Sequence, residues 1–274
     1  YFDSQWSQLD WSRLRVDWGA LVLGLLVYVV GMGLLPLGSW FMQRWMGFHV
    51  AALDMWQAFF LAQMVKYLPG GFWSLPGRAV LYHRQGLTAI ESSALVLIEV
   101  IGLLCGAGIV GLLSLPLLLA LVPDTGFIML VAAAGAVIGL IGLRYLLPRL
   151  RGFGVALRRL SVRGFAGLVV IYTFNWLVLG AAFGLMTLAV GGEIPAPAFA
   201  QIIGLHAVAW ALGFVVIFAP GGIGVREAVL TFTLLAFMDA PLPLTASILG
   251  RIGWTLAELV NMGIITAMKR RERR

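Results

Sequence analysis

Charge is what this chain has least of. Only 11% of its 274 residues are Asp, Glu, Lys or Arg, while 61% are hydrophobic. A soluble domain carries about 25% charged residues, so this chain has too little polar surface to cover itself in water. Cysteine is almost missing: Cys105 stands alone in an apolar run, which excludes a disulfide and a cysteine-based metal site. His49, His83 and His206 are scattered, with no His-Glu-x-x-His or Cys/His spacing, so neither a metal nor a cofactor is expected. A P-loop, a dinucleotide fingerprint and a Ser/His/Asp set are absent as well. The chain alone is therefore not expected to be an enzyme or to use ATP. No secretory signal is visible, and because the chain begins at Tyr1 rather than Met, whether residues or a helix precede it stays open.

What is present points to lipid. Mean hydropathy is +0.97, with 34 glycines and 10 tryptophans, which suits packed transmembrane helices with aromatic belts. About eight apolar segments fall near 18–37, 50–68, 89–112, 126–147, 165–190, 198–219, 226–239 and 244–268. The seventh is shorter than the roughly 20 residues a spanning helix needs. It is read as tilted, or as a re-entrant hairpin with its predecessor. The expected class is an all-α polytopic membrane protein in one transmembrane domain, 1–274.

Two stretches repeat one pattern. Lys66-Tyr-Leu-Pro-Gly-Gly runs on to Arg78-Ala-Val-Leu, and Phe218-Ala-Pro-Gly-Gly-Ile-Gly-Val runs on to Arg226-Glu-Ala-Val-Leu. Pro removes a backbone donor and Gly permits angles other residues avoid. Helices should therefore break at Pro69, Gly70 and Gly71 and again at Pro220, Gly221, Gly222 and Gly224. Broken backbone inside a bilayer survives only against protein or a wet cavity. Paired breaks in two halves point to a transporter's binding site. The halves are placed at about 16–148 and 164–270, and the pattern leaves parallel and inverted repeats open. The two breaks are expected to face each other across one cavity.

Arginines suggest an orientation. Arg13 and Arg15 precede the first segment, Arg144, Arg149, Arg151, Arg158, Arg159 and Arg163 fill the central linker, and Lys269–Arg274 forms the tail. The opposite loops hold Asp54, Asp124, Glu193 and Asp239, with Arg44 as the exception. The positive-inside rule puts both termini and the linker in the cytoplasm. A net charge of +7 with pI near 10.2 is thus juxtamembrane charge facing anionic lipid, and no nucleic-acid partner is expected. Phe2, Trp6 and Leu9 mark a short interfacial helix.

Intramembrane charges carry the chemistry. Glu99 is isolated in an apolar run, and Arg251, Glu258 and Asn261 share one face of the last helix, with Thr255 between them. Lys66, Arg78, Arg226 and Glu227 flank the breaks. Ionisable groups at such depth mark pathways by default. They can equally be interhelical ion pairs, such as Glu99 or Glu258 with Arg78 or Arg251. Four cations (Lys66, Arg78, Arg226, Arg251) beside helix N-termini suit a phosphate or carboxylate. The acids Glu99, Glu227 and Glu258 suit an amine on the same cargo, or protons. His206 reads as a hydrogen-bonded packing residue, with a proton relay as the minor alternative, and Asn175 as a bond across helices.

These same residues resemble the lysylphosphatidylglycerol synthetase/flippase transmembrane-domain family. Pro220-Gly-Gly-Ile-Gly-Val-Arg-Glu227 is the most specific stretch. Glu99 matches that family's intramembrane acid and Arg251 its last-helix arginine, while Val100 stands where the family often has an arginine. The resemblance covers nearly the whole chain and lacks, up to Arg274, the soluble aminoacyl-transfer domain of two-part members. It implies translocation of an anionic-headgroup lipid between leaflets of the cytoplasmic membrane, without lipid synthesis. Phospholipid, aminoacyl-phospholipid and polyprenyl-phosphate-linked sugar all fit. The implied partners are membrane lipids, with a second copy of the chain or a lipid-synthesising enzyme beside them. A subunit or enzyme of lipid-linked sugar metabolism and a small-anion transporter stay open as alternatives.

Overall fold

The computed structural model describes residues 15–65, 74–121, 161–191, 194–216, 220–272 and 274. Among them all regular structure is helical: α1 (Trp18–Trp45), α2 (Ala52–Met64), α3 (Ser74–Arg84), α4 (Ala89–Gly111), α5 (Leu115–Leu121), α6 (Val162–Ala189), α7 (Ala196–Val215), α8 (Val225–Leu234) and α9 (Leu242–Glu272). A 3-10 turn at Leu112–Ser114 joins α4 to α5, and another forms at Pro220–Gly222. Five helices are long and apolar enough to cross a membrane: α1, the joined α4–α5, α6, α7 and α9. The expected span over 126–147 lies outside the described residues, as do Lys66, Pro69, Gly70 and Gly71. The second and seventh segments form the 13-residue α2 and the 10-residue α8. At 1.5 Å per residue these reach roughly 20 and 15 Å, too short for a crossing.

Polar caps start the helices where the sequence changes character. Asp17 accepts from the Gly19 and Ala20 amides at the head of α1. Thr88 and Glu91 form a reciprocal capping box on α4, and Ser161 caps α6. Each satisfies amides the first turn leaves unpaired.

Glycine sets the packing. Gly24, Gly31 and Gly38 recur every seven residues on α1. A Cβ on them would strike Leu185 (3.1 Å), Leu179 (2.7 Å) and Tyr172 (2.5 Å) of α6. The falling partner numbers make α1 and α6 antiparallel, and small residues are what allow such close approach in lipid. Gly180 and Gly184 of α6 meet Ile203 and Phe199 of α7 in the same way. Three carbonyls of α1 also accept side-chain donors from other helices: Val29 from Asn261 (2.9 Å), Gly31 from Asn175 (2.7 Å) and Gly33 from Trp56 (2.8 Å). Asn175 does bond across helices.

Contacts at the helix ends fix directions. Trp45 Nε1 donates to Ser161 Oγ at 2.9 Å, Gln85 Nε2 donates to the Asp54 carbonyl at 3.0 Å, and Lys269 pairs with Asp54. The end of α1, the start of α2, the end of α3, the start of α6 and the end of α9 therefore share one end of the bundle. The Asp17 amide bonds the Ala189 carbonyl at 2.9 Å, which places the start of α1 with the end of α6 at the other. This corrects the expected topology. Asp54 and Arg44 lie at the end that holds Arg84, Arg163 and the basic tail, and α1 begins at the end opposite that tail. The physical reason is that α2 and α3 go in and come back, so the first half has one crossing fewer than a full-length second span would give. From the other end, α7 enters, the chain breaks, and α8 returns to the start of α9.

Candidate functional site

The two hairpins each carry one buried arginine, at different levels of the bundle. Arg78 lies on α3, about nine ångströms in from the Arg84 end at 1.5 Å per residue. Its Nη1 donates to Glu99 Oε2 of α4 at 3.0 Å, and both side chains are buried. Tyr82, one turn after Arg78, donates to the same carboxylate at 3.2 Å. The Phe59 ring of α2 lies 4.5 Å from the guanidinium carbon. The Ser39 and Tyr172 hydroxyls stand beside this group, without hydrogen-bond geometry to a partner among the described residues. Arg78 is thus met by a carboxylate and an aromatic face, with its Nε buried and unpartnered among the described residues, while the Tyr82 hydroxyl serves Glu99. Glu99 belongs to an interhelical ion pair, the bonding the sequence left as an alternative.

Arg226, on α8, is held differently. Its guanidinium carbon stands 4.5 Å from the Trp254 ring of α9. Its stem fills the space beside Gly213 of α7, where a Cβ would meet Arg226 Cγ at 2.7 Å. Among the described residues no carboxylate lies within ion-pair distance of it. Arg251, Glu227, Glu258 and Tyr28 are within electrostatic reach.

Backbone geometry at the second break explains how these groups meet. Gly221, Gly222 and Gly224 have φ of 61°, 71° and 86°, the left-handed region that favours glycine. The turn aims the Gly221 carbonyl at Arg251 Nη1, 3.0 Å away. Arg251 Nη2 is buried without a partner among the described residues. Glu227 accepts from the Gly224 amide at 2.7 Å, capping α8, and its other oxygen lies 3.8 Å from Arg251 Nε. Glu258 is fully buried and accepts from Trp254 Nε1 at 2.8 Å. The structure thus gathers Gly221, Gly222, Gly224, Arg226, Glu227, Arg251 and Glu258 into one group and Arg78 with Glu99 into another. Asn261, one turn beyond Glu258, is spent on bonding α1.

The two groups are offset along α1. Tyr28 stands beside Arg226, and Ser39 beside Glu99. Eleven residues separate them, roughly 16 Å along a helix axis.

Residues 3–254 match the family model described as the lysylphosphatidylglycerol synthase TM region. The chain belongs to this family. No curated protein matches it. The family membership agrees with the resemblance read from the Pro-Gly-Gly stretches and marks a membrane, lipid-related function.

Within this family member, the uncharged partners are what sequence reasoning missed: Tyr28, Phe59, Tyr82, Gly213 and Trp254. Two had a usable signal. Tyr82 follows Arg78 by four, and Trp254 precedes Glu258 by four, the spacing that puts helix neighbours on one face. Phe59, Tyr28 and Gly213 come from other helices and carry none. Among the described residues no group of three or more His, Cys, Asp or Glu side chains could hold a metal.

Proposed function

We propose that this chain moves a lipid with an anionic headgroup between the leaflets of the cytoplasmic membrane, by flipping or scrambling, without chemical change. One observation carries the reading. Arg226 and Arg251 converge on the break at Pro220–Gly224, and among the described residues Arg226 has no carboxylate within ion-pair distance and Arg251 Nη2 is an unused donor. Two guanidinium groups beside a glycine turn form a fork-shaped receptor for a phosphate. The cost of burying such charge makes a structural explanation for both poor.

The two hairpins support the same reading. One enters from each end, so the halves at about 16–148 and 164–270 read as an inverted repeat, the arrangement in which cargo sites form at broken helices. Tyr28 and Tyr172 are each the eleventh residue of their helices, α1 and α6. Each stands near the other half's arginine, as an inverted repeat requires. By the positive-inside rule, the end with Arg44, Arg84, Arg163 and the Lys269–Arg274 tail faces the cytoplasm.

Purified protein in phosphatidylcholine vesicles with a trace of fluorescent phosphatidylglycerol tests this. Dithionite added outside should bleach inner-leaflet label far faster than in protein-free vesicles. Arg226→Ala should slow it by roughly 10–100-fold, the worth of a charge-assisted bond. Leaflet exchange no faster than in empty vesicles overturns the function.

A further inference from the structure

His206 lies at the centre of the bundle on α7, 1% exposed. It packs as a core residue, but the hydrogen bond expected of it is missing. Neither ring nitrogen has a partner among the described residues. Four aromatic rings surround the imidazole: Phe183 stacks on it at 5.0 Å, with Trp254 at 5.8 Å, Tyr28 at 6.0 Å and Trp176 at 6.3 Å. The Tyr28 hydroxyl, also buried, has no partner among the described residues either. Buried polar atoms are nearly always bonded, so two bare nitrogens and a bare hydroxyl in one cluster require an explanation.

The neighbours supply it. Trp254 borders both His206 and the Arg226 guanidinium, so the imidazole stands one ring away from the anion receptor. The ionisable groups around it are few. Tyr28 of α1 and Arg226 of α8 act on it directly, while Arg251 and Glu258 of α9 lie within reach of Arg226, Glu258 being bonded to Trp254. From α6 come only Trp176 and Phe183. The acid of α4, Glu99, is bound to Arg78. With the receptor vacant, Arg226 opposes a second positive charge on His206. A bound anion cancels that opposition, and a neutral imidazole already has a free lone pair to take the proton without breaking a bond.

We propose that His206 is a proton-binding site, protonated when an anionic headgroup settles on Arg226 and Arg251, so that lipid movement is coupled to proton uptake. The proton is taken up from the aqueous phase through the receptor, adds to the bare nitrogen of the neutral ring, and returns to solution when the anion leaves. Anion and proton each strengthen the other's binding by the same factor. This rests on the reading of Arg226 and Arg251 as the anion receptor.

The test uses the whole protein, labelled with 15N-histidine, in nanodiscs of phosphatidylcholine with and without phosphatidylglycerol. Between pH 8 and 5.5 the His206 nitrogens should reach the imidazolium signature at higher pH when phosphatidylglycerol is present. Affinity for phosphatidylglycerol should rise as pH falls, by at most about tenfold per pH unit for one linked proton. His206→Gln, and His206→Phe as a second variant, should flatten that slope. The same nitrogen shift with inorganic phosphate alone supports the proton site and assigns the anion to solution rather than lipid. Identical His206 titration in both discs, or an unchanged slope in both variants, overturns the proton site while leaving Arg226-dependent binding standing. Unchanged phosphatidylglycerol binding in Arg226→Ala overturns the receptor, and this proposal with it.

Discussion

Arg78 and Arg226 each sit on the second arm of a short hairpin, yet among the described residues one is paired with a carboxylate and the other is not. Arg78 has a carboxylate at 3.0 Å and an aromatic face at 4.5 Å. Arg226 has an aromatic face at the same 4.5 Å and, among the described residues, no carboxylate within ion-pair distance. The difference comes from the crossing helix each one meets. Near the middle of α4 stands Glu99, whereas α9 presents Arg251 at nearly the same position along its length. One group therefore closes its charge with a direct ion pair, whereas in the other Arg251 is held only by Glu227 at 3.8 Å and the Gly221 carbonyl, and Arg226 by no carboxylate within ion-pair distance among the described residues. The lesson is that a repeated arginine need not repeat its role. What it does is set by the sign of the residue on the neighbouring helix.

The largest effect should come from breaking the sealed side. Arg78→Ala strands Glu99 in the interior and should cost about 3–5 kcal/mol of stability, seen as earlier thermal unfolding in detergent. Replacing both partners with apolar residues of similar size, Arg78→Met with Glu99→Leu, should recover most of that loss. If the double variant folds well but no longer moves lipid, the sealed pair also belongs to the transport cycle, and the contrast weakens.

A smaller change sharpens the open side. Arg226→Lys keeps the charge and loses the planar fork, so phosphatidylglycerol binding should weaken severalfold, by about 1 kcal/mol or more. Arg158→Lys in the central linker should bind as wild type does. Equal affinities for wild type, Arg226→Lys and Arg226→Ala would give Arg226 a structural role like that of Arg78.

The smallest effect belongs to the surface. Lys269→Gln removes the pair with Asp54, which is partly exposed and worth at most about 1 kcal/mol. Unfolding in detergent should shift little. Cysteine accessibility at positions 54 and 269 should still place both at one face of the membrane.

Much of this was legible in the sequence because lipid imposes a simple rule. Long apolar runs must be helices, and a Pro-Gly-Gly within one must be a break. Helices α1, α6 and α9 start within a few residues of their expected positions, and the glycine turn at 220–224 falls where expected. Topology was not legible, because it depends on parity. Residues 50–68 read as apolar enough to cross, and only the bond of Gln85 to Asp54 and the pair of Asp54 with Lys269 show that α2 and α3 return to their starting end. At the candidate site the charges were legible one by one. The pairing was not, since Glu99 was as near in type to Arg251 as to Arg78. Only the packing of α3 against α4 selects Arg78.

Three helices hold α1 through its main chain. Asn261, Asn175 and Trp56 donate to the carbonyls of Val29, Gly31 and Gly33, and a carbonyl is the same whatever side chain stands beside it. The join therefore tolerates drift at Val29, but Gly31 and Gly33 must stay small, since a Cβ there would strike Leu179 or Asn261. Drift at Val29 leaves its bond intact, while loss of the Asn261 amide unfastens α9 from α1. The hairpins and crossings around α1 can change their chemistry over time without losing register, provided the three donors stay.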